Sequence, residues 1–351
     1  MAEPPPNQLI KCLVWDLDNT LWTGTLIEDD DCRLKYGVRR LLEECDRRGI
    51  LQSIASANDE DLATRVLKKK RIEHFFLHPQ IGWNNKVSSI TTIAERLGVA
   101  LDAIAFVDDE PYELEQVRQL LPAVRTFPAD SVRALLERPE FQSDGLTDES
   151  MRRRSMYRQE ESRSRARESS AVTHGEFLKS CESELTLREA EESDLPRILE
   201  LLKRTHQLNS TGVIHSRTEV ESFLTEPENR VYIAALKDRF VDYGRIGVAV
   251  CHRESGAWLL LAFLLSCRVL TRGIGHFFLS WLQYQAGRDG ARVLEGTYVE
   301  NDRNQRMKLL YQFSGFQPSG RAGGGAVRYS GVCREEVEPP DWLSVVEVGL
   351  P

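Results

Sequence analysis

The stretch "CLVWDLDNTLW", residues 12 to 22, runs as an apolar strand into two aspartates, Asp16 and Asp18. Residues i and i+2 of a strand share a face, so these carboxylates are expected to converge at the carboxyl end of the strand, where open α/β sheets bind ligands. Two carboxylates at one place repel, and a cation relieves one while a proton relieves the other. That division suits phosphoryl transfer: one carboxylate attacks phosphorus, magnesium neutralises the phosphate oxygens, and a neighbouring acid protonates the leaving group. Three later features stand at the ends of elements in the same manner: Ser56 in "SIASAND", Lys86 in "GWNNKVSS", and Asp108 with Asp109 in "AIAFVDDEP". Any one of these acids alone reads equally well as a helix cap or a solvated turn residue. The four features in this order point to a phosphate site. The acidic run from Glu28 to Asp31 reads as a solvated turn rather than a second metal site.

The elements that must position these groups alternate in type. From residue 9 to about 130, strand candidates "LIKCLVW", "ILQSIAS", "HFFLH" and "AIAFVDD" are separated by "VRRLLEECDRRG", "DEDLATRVLKKKR" and "KVSSITTIAERLG", whose apolar residues recur at helical spacing. Glycine stops at Gly49 and Gly98 close the first and third helices. Strand and crossover helix in alternation predict a doubly wound parallel sheet. After Pro139 the pattern breaks, and "TDESMRRRSMYRQEESRSRARESS" is charged enough to read as an exposed helix or a flexible linker. A second domain opens at "ELTLREAEESDLPRILELLKRTHQLN": a strand, a cap at Asp194 with proline in the first turn, then an amphipathic helix. Further strands are expected in "RVYIAALKD", "YGRIGVAVCHRE" and "RVLEGTYVE", and "GAWLLLAFLLSCRVLTRGIGHFFLSWLQYQAG" reads as a buried strand, a glycine turn and a helix. The expected boundaries are a disordered tail over 1–8, the parallel-sheet domain over 9–145, a charged helical linker over 146–182, the second domain over 183–335 and a C-terminal tail over 336–351.

Composition narrows the class. At 351 residues the chain exceeds one typical core, and two domains of about 150 residues are the prior expectation. It is 41% hydrophobic and 28% charged with a net charge of −8, which suits a soluble enzyme and argues against nucleic acid as a partner. No apolar run approaches the roughly 20 residues that span a bilayer, and "MAEPPPNQLI" is unlike a secretory leader, so a cytoplasmic protein with no membrane partner is expected. Seven cysteines without a CxxC pair suit reduced thiols better than disulfides or zinc.

In the second domain, Arg272-Gly273-Ile274-Gly275 stands between a strand and a helix, and backbone N–H groups at such a helix start can hold a pyrophosphate. Cys267 ends the preceding strand, five residues before Arg272. It reads either as a core cysteine or as a thiol that Arg268 and Arg272 activate for attack on an acyl group. Cys12, Cys45 and Cys251 lie in core elements and are expected to be inert.

The order DLDNT, Ser, Lys, DD resembles the four motifs of the haloacid dehalogenase (HAD) superfamily of aspartyl-phosphate phosphatases. The resemblance implies Asp16 as nucleophile and Asp18 as general acid and base. It implies phosphoryl oxygens held by Ser56, Asn58 and Lys86, and Mg2+ held by Asp16, Asp18 through its main-chain carbonyl, and Asp108, with Asp109 assisting. The segment "TGTLIEDDDCRLKYG" is too short for a large cap domain, so an open site is expected, admitting a bulky substrate or a second protein. The second domain, with "LTLREAEESDLPRIL", the RGIG turn and "YQFSGF", is similar to the GNAT acyltransferase fold, an α+β fold whose members hold phosphopantetheine beside the strand that Cys267 ends.

The whole chain resembles the FkbH-like proteins of polyketide assembly lines, most specifically in "KCLVWDLDNTLW", "FVDDEP", "KRTHQLNST" and "FLLSCRVLTRG". That resemblance implies a protein that takes a phosphorylated three-carbon acid, D-1,3-bisphosphoglycerate, removes phosphate, and passes the glyceryl group through a Cys267 thioester to the phosphopantetheine of an acyl carrier protein. An acyl phosphate is already activated, which fits a chain without a P-loop. His206, where the family has asparagine, reads as a base near the thiol, a carrier-protein contact or a packing residue. Asn209, Thr211 and Asn304 are expected to line the acyl site, with Arg268, Arg272, Gly273 and Gly275 at the pantetheine. The competing readings are a magnesium-dependent phosphatase fused to an acetyl-CoA-dependent N-acyltransferase, and a scaffold that only docks a carrier protein.

Overall fold

The computed structural model describes residues 9–28, 32–142, 145–169 and 172–349. The expected tail over 1–8, Asp29 to Asp31 of the acidic run, and the last two residues lie outside them. The chain divides into two compact units, Met1–Arg158 and Gln159–Pro351.

The first unit is built on β1 (Cys12–Trp15), a small ladder of β2 (Trp22–Thr23) with β3 (Arg33–Leu34), helix α1 (Val38–Arg47), β4 (Leu51–Ser56), α2 (Glu60–Lys69), β5 (Gln80–Ile81), α3 (Lys86–Leu97), β6 (Ile104–Asp108), α4 (Pro111–Leu120) and β7 (Arg125–Pro128). Five strands pair in parallel in the order β5-β4-β1-β6-β7, so the order reverses between β1 and β6. β1 is buried throughout, as a central parallel strand with helices on both faces must be. Its side chains alternate: Leu13 and Trp15 pack with Leu42 of α1 and Val66 of α2, while Cys12 and Val14 pack with Ile93 of α3 and Val117 of α4. The doubly wound sheet expected from the sequence is therefore present. One strand is not where periodicity put it. "HFFLH" forms a single 3-10 turn over Glu73–Phe75 and one isolated bridge from Phe76 to Gln52, because Phe75, Phe76 and Leu77 all turn inward and leave no outer face to alternate; the edge strand comes later, at Gln80–Ile81.

The charged stretch after Pro139 is helical: α5 (Asp148–Met151) and α6 (Arg153–Glu168). In the first unit Arg154 binds Asp46 through two nitrogens, at 2.7 and 3.0 Å.

The second unit continues with α7 (His174–Ser180), β8 (Ser183–Glu189), α8 (Leu195–Arg204), α9 (Arg217–Thr225), β9 (Asn229–Lys237), β10 (Asp242–Glu254), β11 (Ala257–Leu265), α10 (Ile274–Arg288), β12 (Val293–Tyr298), α11 (Gln305–Phe313), β13 (Gln317–Arg321), β14 (Val327–Val332) and β15 (Leu343–Val348). Eight strands form one sheet in the order β13-β14-β12-β11-β10-β9-β8-β15, antiparallel except at β11–β12 and β8–β15. Helices α8 and α9 bury Ile198, Leu202 and Val220 on one face, against Ile233, Val248 and Leu264. On α10, Phe278 meets Phe263 and Trp281 meets Tyr232, at ring distances of 5.4 and 5.1 Å. Gly275 is small because α10 lies close: a Cβ there would fall 2.9 Å from both Leu265 and Leu310. Asp194 does not cap α8. Its buried carboxylate instead takes two bonds from Arg188 (2.6 and 2.8 Å), one from Arg245 (3.0 Å) and one from the Glu191 N–H (2.9 Å). The segment 336–351 contributes β15, which pairs along all of β8 except Glu189. No helix of the described residues is long and apolar enough to cross a membrane.

Candidate functional site

The carboxylates at 16 and 18 do not share a strand face. β1 ends at Trp15, and the main chain then turns through residues 18–20, with Asn19 in the left-handed region (φ 49°) and its side chain accepting from the Gly24 N–H at 3.0 Å. The two side chains take different partners. Asp18 Oδ1 accepts from the Trp22 indole (2.8 Å) and the Leu26 N–H (3.3 Å), and Asp18 Oδ2 accepts from Asn58 Nδ2 (3.2 Å). Asp16 Oδ1 accepts from Ser56 (3.0 Å) and from the Lys86 ammonium. Asn58 also donates to Ser56 Oγ at 3.1 Å, so the hydrogen-bonded path Asp18–Asn58–Ser56–Asp16 joins the two acids.

Each member arrives by a definite local route. Ser56 is the last residue of β4, beside β1, and Asp108 is the last residue of β6, on the other side of β1. The reversal of strand order thus brings their side chains to one crevice, where open parallel sheets bind ligands. Lys86 opens α3, whose start is fixed by Asn85 accepting from the Ser88 N–H at 2.8 Å. Its ammonium donates to the Ala55 carbonyl (2.9 Å) and pairs with Asp108 Oδ2 at 3.0 Å. Asp108 Oδ1 accepts from the Glu110 N–H (2.9 Å), and Asp109 accepts from Thr20 (3.2 Å). Asp16, Ser56, Asn58, Lys86 and Asp108 are all buried.

The charge does not balance. Burial raises the Asp16 carboxyl to about 6, the Lys86 ammonium lowers it, and Asp108 raises it again. Asp108 is likewise raised, chiefly by burial and against the pull of Lys86. Burial lowers Lys86, but Asp16 and Asp108 outweigh that and hold it above its ordinary value. Asp16, Asp108 and Asp109 can each place one carboxylate oxygen within 4.8 Å of the others, with one lysine among three acids. Asp108 Oδ2 has the Lys86 ammonium, at 3.0 Å, as its partner, which it shares with Asp16. Hard oxygen donors with surplus negative charge are what Mg2+ accepts, so this donor set fits the ion. The Asp18 side chain is not in the group, which leaves its main-chain carbonyl as the contribution expected from the resemblance. Thr20 and Trp22, which fix Asp109 and Asp18, were not singled out from sequence, where Trp22 reads as one more buried aromatic.

In the second unit the expected residues are placed differently. Cys267 stands at the start of a 3-10 turn after β11, and is half-buried. Burial raises the thiols of Cys12 and Cys251 well above the usual range and that of Cys45 to about 12, as expected of inert core cysteines. Arg268 donates to Ser266 Oγ at 3.1 Å. Arg272 is buried and bound to Asp238 (2.7 Å) and Glu160 (2.8 Å), with its guanidinium 4.3 Å over the Tyr243 ring. It braces the turn rather than offering its donors to a pantetheine. Gly273 adopts φ 68° at the start of α10, with the Trp342 ring 3.3 Å from where a Cβ would stand.

Asn304 is also a brace. Its oxygen accepts from the Tyr298 hydroxyl (3.1 Å) and the Asn301 N–H (3.0 Å), and its nitrogen donates to the carbonyls of Asn209 (3.2 Å) and Val299 (2.8 Å), which uses the whole capacity of the amide. The Asn209 oxygen accepts from the N–H groups of Thr211 and Gly212, at 3.2 and 2.9 Å, and Thr211 Oγ1 from the Val213 N–H at 3.2 Å. His206 lies half-buried just beyond α8. β11 and β12 pair only over Ala257–Leu260, and the gap beyond is bridged by the chain itself: Leu208 accepts from the Leu265 N–H (3.0 Å), Ser210 donates to Phe263 (3.3 Å), and Ser210 accepts from the Val299 N–H (3.0 Å). The strand edge expected to face a pantetheine is thus occupied by residues 208–210.

No protein-family model matches the chain, and no curated protein matches it. Among solved structures it is similar to the N-terminal part of the protein BF1531 from Bacteroides fragilis, containing a phosphatase domain complexed with Mg, at 26% identity over 38% of this chain and 40% of that one, with a TM-score of 0.35. It is similar also to the ribosomal-protein-S18-alanine N-acetyltransferase of Escherichia coli, at 16% identity over 44% of this chain and 97% of that one (TM-score 0.35). A third similarity is to the GNAT domain of S. lividans PAT, at 15% identity over 42% of this chain and 89% of that one (TM-score 0.35).

Proposed function

We propose that the first unit is a magnesium-dependent phosphatase of the aspartyl-phosphate type and that the second is an acyltransferase using Cys267. Together they would convert a phosphorylated three-carbon acid, D-1,3-bisphosphoglycerate, into a glyceryl thioester on the phosphopantetheine of an acyl carrier protein in polyketide biosynthesis. The observation that supports this reading is the convergence of Asp16, Ser56, Lys86, Asp108 and Asp109 at the reversal point of a parallel sheet. Ser56 and Lys86 both engage Asp16 Oδ1, and no hydrogen bond of the described residues reaches Oδ2. Oδ2 forms the bond to phosphorus as the bond to the departing oxygen breaks, and Asp18 gives that oxygen its proton. Water then attacks the phosphorus of the aspartyl phosphate, Asp18 takes the water's proton, and inorganic phosphate leaves Asp16 free. Mg2+, when held by Asp16, Asp108 and Asp109, neutralises the phosphate oxygens. Asn58 positions Ser56 and Asp18 relative to each other.

At Cys267 the thiolate attacks the acyl carbon, and phosphate departs with the electron pair. The carrier's thiolate then attacks the thioester, and the Cys267 thiolate is released. A pantetheine would reach this cysteine from beyond Leu265, since the strand edge before it is taken. A soluble, cytoplasmic setting without nucleic acid or membrane partners accords with the charge and composition. Intact-mass measurement after incubation with bisphosphoglycerate, Mg2+ and a holo carrier protein tests the proposal. A glyceryl adduct on the protein that Cys267→Ala abolishes, followed by an adduct on the carrier, supports it. Acetylation of small amines from acetyl-CoA with no thioester would favour the N-acyltransferase instead.

A further inference from the structure

In the first unit, four large apolar side chains among the described residues are more than two thirds exposed: Ile27 at 73%, Tyr36 at 85%, Trp83 at 75% and Tyr112 at 72%. Tyr36 is partly accounted for by the Arg133 guanidinium, 5.1 Å over its ring. The other three stand on the loops that build the carboxylate site. Ile27 follows Leu26, whose N–H binds Asp18. Trp83 follows Gly82, whose N–H binds the Ser56 carbonyl at 3.0 Å, and it lies three residues before Lys86. Tyr112 lies in the first turn of α4, two residues after Glu110, whose N–H binds Asp108. These loops follow β1, β5 and β6 of one sheet. Large apolar side chains left in water beyond the carboxyl ends of the strands of one sheet mark a surface meant to be covered.

The charges at this opening restrict what covers it. The segments 16–28, 56–61, 82–86 and 108–113 contain no lysine or arginine except Lys86, while Asp59, Glu60, Asp61, Glu110 and Glu113 flank the site. One phosphate would meet Lys86 and the divalent cation. A second phosphate or a carboxylate on the same small molecule would find no further cation in these segments and would be repelled by their acids.

We propose that Ile27, Trp83 and Tyr112 form the specificity rim of the carboxylate site and select a phosphate monoester borne on a large, uncharged apolar body over small polyanionic phosphates. This rests on the phosphatase reading above and deepens it: the acyl phosphate of the bisphosphate is spent first in thioester formation, and the remaining phosphate monoester reaches Asp16 when the acid is already part of a larger body. The probes are two alkyl phosphate monoesters, 2-phenylethyl phosphate and 3-phosphoglycerate, assayed by phosphate release with the wild type, Trp83→Ala/Tyr112→Ala and Asp16→Asn. In the rim variant, kcat/KM for the phenylethyl ester should fall roughly tenfold or more, mainly through KM, while that for 3-phosphoglycerate stays within about twofold. Exposed positions of this kind rarely affect folding, and an unchanged melting curve confirms it. Equal losses on both esters, or none, with Asp16→Asn inactive, would overturn the rim and leave the phosphatase standing. Full activity in Asp16→Asn would remove the phosphatase reading and the rim with it.

Discussion

The carboxylate site of the first unit and the polar residues of the second make an instructive pair. In the first, side chains from four segments meet with more negative than positive charge, and one lysine is shared between Asp16 and Asp108. In the second, Asn304 has all its hydrogen-bonding capacity filled by its own chain, and Arg272 is matched by two carboxylates and a tyrosine ring. Both sets are buried and polar, so burial does not tell them apart. Closure does: a group whose partners are all within the protein specifies a conformation, and a group left with surplus charge specifies a ligand.

The sharpest way to break this contrast is Asp16→Asn. Phosphate release should fall by about a thousandfold or more, since the attacking oxygen is lost, while the melting temperature holds or rises because one buried negative charge is gone. A parallel fall in stability would place Asp16 with the braces. Arg272→Met should do the reverse, costing about 3 kcal/mol in denaturant unfolding by removing one of the two arginines that pair with Asp238 and Glu160 and leaving Arg163 alone with both, with Mg2+-dependent phosphate release unchanged below the transition. Asn304→Ala is expected to cost about 1–3 kcal/mol and to loosen the 208–210 bridge, read as faster amide exchange at Leu265 and Val299.

The smallest effect is one of pH. Burial raises the Asp194 carboxyl, but the Arg188 hydrogen bonds, the Glu191 N–H and Arg245 together outweigh it and hold it below the usual carboxylate range. Its stabilisation is therefore fully present above the pKa of an unfolded aspartate and is lost as pH falls through the lower folded value. Asp194→Asn should weaken the second unit at neutral pH and flatten its loss of stability in acid, measured by melting temperature against pH.

How far the sequence foretold this follows from where each residue's partners lie. Strand β1 was legible as a short apolar run, and helices α1 to α3 because their apolar residues recur at helical spacing. The residues of the carboxylate site were legible because phosphate chemistry needs particular side-chain types at strand ends, and the parallel topology brings those ends together. Their mutual geometry was not: β1 ends before Asp16, and the turn at Asn19 that follows is held by Gly24 five residues on. "HFFLH" misled because three consecutive inward residues imitate a buried strand, and Asp194 because an acid before a proline imitates a cap while its partners wait on β8 and β10. Asn304 was unreadable for a similar reason, since one of its bonds reaches the Asn209 carbonyl 95 residues away, while the Asn209 side chain closes a local turn on Thr211 and Gly212.

The pairing of β8 with β15 has a consequence for synthesis. The first unit has its whole parallel sheet by Pro128, so it can fold while the rest is still being made. β8 emerges early in the second unit, yet its parallel neighbour follows only about 160 residues later, and until then one long edge of the nascent sheet lies open to any extended chain it meets. A ribosome-bound intermediate of this protein is thus one finished domain trailing an unclosed one, and its vulnerability to misassociation is concentrated in the interval before the final strand arrives.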